Sequence, residues 1–237
     1  MRLELGCAVR CTDGDAGALD DVVIDPTRRR VTHLVVAPHH RHDLARLVPI
    51  DRARERAPAG DEPAAAAIDL ALSLAELEQF EPLQRSAFLR LGETPVEDPD
   101  WEIGIEEILA LPYYQSLAPG AVGPGVPALG FDDRVTEVYD RVPKHEIEIR
   151  RASAVLSADG HGLGHVDGFL VDGDEGISHL VLEHGHLWGR REVTIPISAV
   201  AEITTDEVRL SLTREAVQAL DAVPVHRWLR PSADDPA

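Results

Sequence analysis

The stretch AVRCTDGDAGALDDVVIDPTRRRVTHLVV (8–36) returns later in the chain as AVLSADGHGLGHVDGFLVDGDEGISHLVL (154–182). Asp13-Gly14 falls on Asp159-Gly160, Gly17 on Gly164 after a one-residue insertion, and Asp25 on Asp172. VTHLVV (31–36) falls on ISHLVL (177–182), LVPID (47–51) on TIPIS (194–198), and IDLALS (68–73) on VRLSLT (208–213). Matches kept in one order mark an internal repeat. Each copy reads as a strand, an Asp-Gly turn, a second strand ending at Asp25 or Asp172, and a third apolar strand. A polar loop, a Pro-containing strand and a last strand follow. The last strand alternates Ile68, Leu70, Leu72 or Val208, Leu210, Leu212, the period-two pattern of a half-buried strand. Ser73 and Thr213 then offer N-cap oxygens, and Glu76 completes a capping box behind Ser73. Leu77 and Phe80, or Val217 and Leu220, give the short helix an apolar face. The expected fold is mostly β: two small antiparallel β-barrels, each closed by a short helix, over residues 1–83 and 146–230.

The glycine-rich segment ADGHGLGHVDGFLVD (158–172) raises the question of a phosphate loop. A dinucleotide fingerprint needs G-x-G-x-x-G between a strand and a helix. Here the third glycine comes one place late, at Gly168, and FLVD continues as a strand, so no helix N-terminus faces a phosphate. The first copy keeps only Asp13, Gly14 and Gly17. Asp13, Gly14, Asp159 and Gly160 are therefore read as structural turn residues, with glycine at positive φ. Gly17 and Gly164 are placed at a bulge or a close backbone approach.

Residues 84–145 are rich in Pro, Gly and acid and are expected to be a largely irregular connector, with a short helix near 104–111 stopped by Pro112. Trp101, Ile105, Ile108, Leu109, Tyr113 and Tyr114 are its expected anchors, and 116–130 is too rich in Pro and Gly for regular structure. Residues 231–237 are expected to be a disordered tail.

Composition bounds the function. The 237 residues carry a formal charge of −19, which opposes phosphate binding by counterion release, so no nucleic-acid partner is expected. No apolar run suits a signal peptide or a membrane span, and a soluble cytoplasmic protein is expected. Aromatic residues make up 4%, so the core must be aliphatic. Cys7 and Cys11, roughly 13 Å apart along a strand, are too distant to bridge.

The turn and strand motifs Asp13-Gly14, Gly17, VVID (22–25), VTHLVV and LVPID, repeated as Asp159-Gly160, Gly164, FLVD (169–172), ISHLVL and VTIPISAV (193–200), resemble the PRC-barrel family. The resemblance covers roughly eighty residues at each end, with HGHLWGRREVTIPISAV (184–200) similar to bacterial proteins carrying two such domains. It implies a six-stranded barrel-like fold, no catalytic residues and use as an interaction surface. A ribosome-maturation factor carries such a domain, which makes an RNA-processing or ribosome-associated role the second reading.

Eleven histidines raise a third reading, a metal or small-molecule sensor. His33 and His179 hold one position in both copies and are read as structural. His40 and His42 in one loop, and His184 and His186 in the other, present His-x-His pairs suited to Zn²⁺, Ni²⁺ or Cu²⁺. Four imidazoles would surround one ion if the two hairpin tips meet. RRR (28–30) and RR (190–191) are read as solvated tips. No nucleophile motif or P-loop occurs, so no enzyme activity and no cofactor are expected. The leading reading is a non-enzymatic scaffold with a protein partner of unknown identity. Both faces of the third strand are apolar, so the barrels are expected to pair, within the chain or as a homodimer.

Overall fold

The computed structural model describes residues 1–38, 41–56, 66–90, 99–107, 134–184, 191–220 and 222–224. They are mostly β, in curled sheets that include a half-barrel. The chain divides into two compact units, one formed by Met1–Leu83 with His145–Ala237 and the other by Gln84–Lys144.

In the larger unit the first repeat contributes β1 (Arg2–Glu4), β2 (Ala8–Cys11), β3 (Gly14–Asp25), β4 (Arg30–Ala37), β5 (Arg46–Pro49), β6 (Ala53–Glu55), β7 (Ala67–Leu70) and helix α1 (Leu74–Leu77). The smaller unit holds β8 (Gln84–Arg90), β9 (Trp101–Glu107) and β10 (Arg134–Pro143). The second repeat contributes β11 (Ile147–Arg150), β12 (Ala154–Leu156), β13 (Gly162–Val171), β14 (Ile177–His184), β15 (Arg191–Pro196), β16 (Val200–Ile203), β17 (Glu207–Leu210), helix α2 (Arg214–Gln218) and β18 (Ala222–Pro224).

The two repeats share one strand order. The first sheet runs β5-β4-β3-β2-β7-β6 and the second β18-β15-β14-β13-β12-β17-β16. The expected all-antiparallel unit is corrected at one pair in each: β2 and β7, and β12 and β17, are parallel. The reason lies in the connection from β5 to β6. These strands lie at opposite ends of the sheet order, yet only the single 3-10 turn Ile50–Arg52 joins them. A sheet whose two edge strands are three residues apart must curl. The chain therefore enters β6 in the direction of β5, and β7 returns alongside β2. Ile197–Ala199 does the same between β15 and β16.

Each repeat gives its first strand to the other. β1 pairs with β13, placing Leu3 opposite Phe169, and β11 pairs with β3, placing Ile149 opposite Val22. Phe169 and Val22 are equivalent positions of the repeat, so RLELGCA (2–8) corresponds to EIRRASA (148–154). Leu3 and Ile149 are fully buried in a single core that also holds Val9, Ile24, Leu34, Val155, Leu180 and Ile195. Burying an aliphatic side chain of this size contributes about 1.5–3 kcal/mol, so each exchanged strand is anchored by its central residue. The β3–β4 and β13–β14 tips also join. The Val31 N–H donates to the Glu175 carbonyl at 3.1 Å and the Ile177 N–H to the Arg29 carbonyl at 2.8 Å. Arg29 and Glu175 take left-handed φ of 54° and 67°, uncommon for non-glycine residues, at equivalent positions of the two tips.

Local chemistry explains the ends. The Ser73 hydroxyl accepts from the Glu76 N–H while the Glu76 carboxylate accepts from the Ser73 N–H, the expected capping box. Thr213 caps α2 through the Ala216 N–H. The turn aspartates reach the same helices: Asp13 accepts from the Leu74 N–H at 2.8 Å and Asp159 from the Arg214 N–H at 3.1 Å.

In the smaller unit the described residues form an antiparallel sheet ordered β8-β10-β9. The expected helix near 104–111 is corrected over 104–107, and the expected irregular course of the connector falls largely on residues outside the description. Residues 104–107 belong to β9, and 108–111 lie outside the described residues, as do Tyr113, Tyr114, 116–130 and 231–237. Trp101, Ile103 and Ile105 alternate at period two, and pairing with β10 selects that period over the helical one. Arg141 lies over the Trp101 ring, 4.1 Å from its centre. Among the described residues no helix is long and apolar enough to cross a membrane.

Candidate functional site

The site grows from one irregularity in β3. Register against β4 steps between Leu19 and Asp21, leaving Asp20 as the extra residue of a bulge. In a regular strand, neighbouring side chains face opposite sides. Here both carboxylates approach one imidazole: His42 Nδ1 lies 2.8 Å from Asp20 Oδ2 and 3.7 Å from Asp21 Oδ2. His42 opens the 3-10 turn His42–Leu44 in the loop between β4 and β5. The exchanged strand supplies the rest. Its following turn donates the Arg151 N–H to Asp21 Oδ1 at 3.3 Å, and Arg150 pairs with the fully buried Glu148 at 3.3 Å.

Burial differs within the cluster. Asp20 and His42 are about one-third exposed, whereas the Asp21 side chain is 7% exposed. Loss of solvation, and then the Asp20 charge, push the Asp21 carboxyl up to about 6, against the pull of His42, Arg150 and the Arg151 N–H. Asp20, Asp21 and His42 place one donor atom each within 4.8 Å of one another. Two carboxylate oxygens and an imidazole nitrogen form a donor set suited to a divalent transition metal.

The second repeat carries the same bulge, with register stepping between Val166 and Gly168 around Asp167. Gly168 stands where Asp21 stands in the first repeat. A Cβ there would overlap the Leu3 carbonyl oxygen, so glycine admits β1 at close range. Arg151, Ala152, His165, Val166 and Asp167 line an open cleft of about 420 Å³, in which His165 Nδ1 lies 3.0 Å from the Ala152 carbonyl oxygen.

Of the predicted metal ligands, His42 joins this cluster. His40 and His186 lie outside the described residues, and His184 ends β14 with its side chain outside the description. Among the turn residues, Gly160, Gly17 and Gly164 take φ of 78°, 113° and 142°. Gly14 does not, a correction to the expected turn. Thr12 and Asp13 make the first turn, and Gly14 opens β3 against Leu74, whose Cδ1 a Cβ would approach to 2.9 Å. Gly17 and Gly164 sit where the β2–β3 and β12–β13 registers shift. His33 contacts Thr32 at 3.1 Å and Glu146 at 3.4 Å, whereas His179 Nδ1 is buried with no partner among the described residues. The RRR run is not a solvated tip throughout. Arg28 pairs with Asp25 at the surface, but Arg29 donates to the Ile197 carbonyl at 3.2 Å and Arg30 pairs with Glu175 at 3.0 Å, both across to the other repeat. Asp20, Asp21, Glu148 and Arg150 escape sequence reasoning. Their one signal is the doublet Asp20-Asp21 set between Ala18-Leu19 and Val22-Val23-Ile24, where the second copy reads Asp167-Gly168.

Compared with protein-family models and with curated proteins, the chain matches none.

Proposed function

We propose that this chain is a non-enzymatic scaffold of two PRC-type barrels that binds a protein partner. The supporting observation is the reciprocal exchange of β1 and β11 around one shared core. Two repeats built this way present their outer surfaces in a fixed relation, which is what an interaction platform requires. The charge of −19 disfavours the RNA or ribosome reading. Crosslinking capture on the full chain in its native host tests the choice. A defined protein partner recovered equally with and without nuclease is expected. Recovery that nuclease abolishes would replace this reading with the RNA one.

A second reading, a divalent-metal sensor, is favoured by the convergence of Asp20, Asp21 and His42. Titration of the full chain with Zn²⁺ near pH 7.5, where imidazole is neutral, tests it. Single-site micromolar binding lost in His42→Ala and kept in His40→Ala/His186→Ala assigns the metal to this cluster. Loss in both variants assigns it instead to the His-x-His pairs of the β4–β5 and β14–β15 connections. No binding ends the metal reading.

A further inference from the structure

We infer that a second copy of this chain is a partner for its own repeats: residues 1–83 of one chain close onto residues 145–224 of another, with β1 and β11 exchanged between molecules. The surface that makes this contact is already in use within the chain, and it is reciprocal. β1 fills the edge of β13, β11 fills the edge of β3, and the two β-hairpin tips trade one backbone hydrogen bond each way. Self-complementary contacts of this kind do not depend on which chain supplies each half, which is the basis of domain swapping. The only covalent link between the halves is the stretch Gln84–Lys144, which folds as a separate unit.

Chain concentration during folding decides which form appears. Covalent connection makes closure within one chain intramolecular, so a chain folding in dilute solution closes on itself. At high chain concentrations, closure between molecules competes. Once made, either form is locked. Leu3 and Ile149 must leave the common core before a strand can change partner, and that core is shared by both repeats. Folded monomers therefore do not exchange on mixing, whereas chains refolded together do.

The test uses two full-length copies with different affinity tags, one carrying Arg2→Cys and the other Leu170→Cys, positions opposite each other in the β1–β13 ladder. Mixed while folded, they should yield no doubly tagged species. Unfolded together and refolded across micromolar to near-millimolar concentrations, they should give a doubly tagged dimer that rises at least tenfold over the series. That dimer should survive dilution to micromolar for days and form the interchain disulfide on oxidation. Monomer alone at every refolding concentration overturns the inference. So does a dimer that dissociates within minutes of dilution, or one without the disulfide, since either would be surface association.

Discussion

The bulge at Asp20-Asp21 and the bulge at Asp167-Gly168 are the same backbone feature in two repeats, and they have been used differently. In the second repeat, glycine lets β1 approach until no Cβ fits beneath the Leu3 carbonyl. In the first, a buried carboxylate stands there and takes the Arg151 N–H, while Asp20 holds His42. The exchanged strands carry the matching inversion. Arg2 precedes its partner Glu4 on β1, whereas Glu148 precedes its partner Arg150 on β11. One fold thus tolerates either a close backbone contact or a buried carboxylate at the same seam. The difference shows that the carboxylate cluster is not needed to form the bulge.

The largest effect should come from the core the two repeats share. Leu34→Asp and Leu180→Asp occupy equivalent, fully buried positions. An unpaired carboxylate there costs more than about 4 kcal/mol, so both variants should fail to fold as judged by circular dichroism. If only one half of the molecule lost its structure in either variant, the core would be two cores. Next, Gly168→Val should displace β1, since the added Cβ meets backbone. Loss of Leu3 burial and its ladder predicts destabilisation of about 3 kcal/mol in urea titration. The transplant Asp21→Gly, which copies the second repeat into the first, should cost far less. Equal costs would mean that the two seams are equally tight.

Asp21→Asn sharpens the charge side of the comparison. The folded carboxyl titrates near 6, above the ordinary carboxylate range. Folding therefore favours its protonated form. The stability this gives is fully present below pH about 4 and is lost as pH rises through about 6. Asparagine keeps an acceptor for the Arg151 N–H without the buried charge. In metal-free protein at pH 7.5 the variant should be more stable by on the order of 2 kcal/mol, and the gain should vanish by pH about 4. A variant less stable at pH 7.5 would mean that the charge itself holds the seam. The smallest effects belong to the helix caps. Ser73→Ala should cost about 1 kcal/mol, and Thr213→Ala somewhat less, because only Ser73 sits in a reciprocal capping box.

Most of the repeat was legible because its signals are local. Period-two alternation marks the strands, SLAE (73–76) and TREA (213–216) mark the helix starts, and the glycines mark bulges. The exchange was not, because RLE (2–4) reads as a short strand whichever sheet it joins. Its register against Gly168–Leu170 is set by contacts more than 160 residues away. WEIGIEE (101–107) carries apolar spacing open to strand and helix alike, and only its partner strand decides. The carboxylate cluster stayed hidden because consecutive residues of a strand converge only across a bulge. Nothing in Leu19–Val22 says that one forms there.

Native-state amide hydrogen exchange on the full chain tests the central claim, that each repeat's first strand is built into the other repeat. The Leu5 N–H donates to the Asp167 carbonyl at 2.8 Å, and the Val31 and Ile177 N–H groups donate across the joined tips. These three amides should be protected to the same opening free energy as the centres of β3 and β13, and should exchange only through global unfolding. If Leu5 exchanges at the rate of a frayed terminus while β3 and β13 stay protected, β1 is not a strand of the second sheet and the account fails.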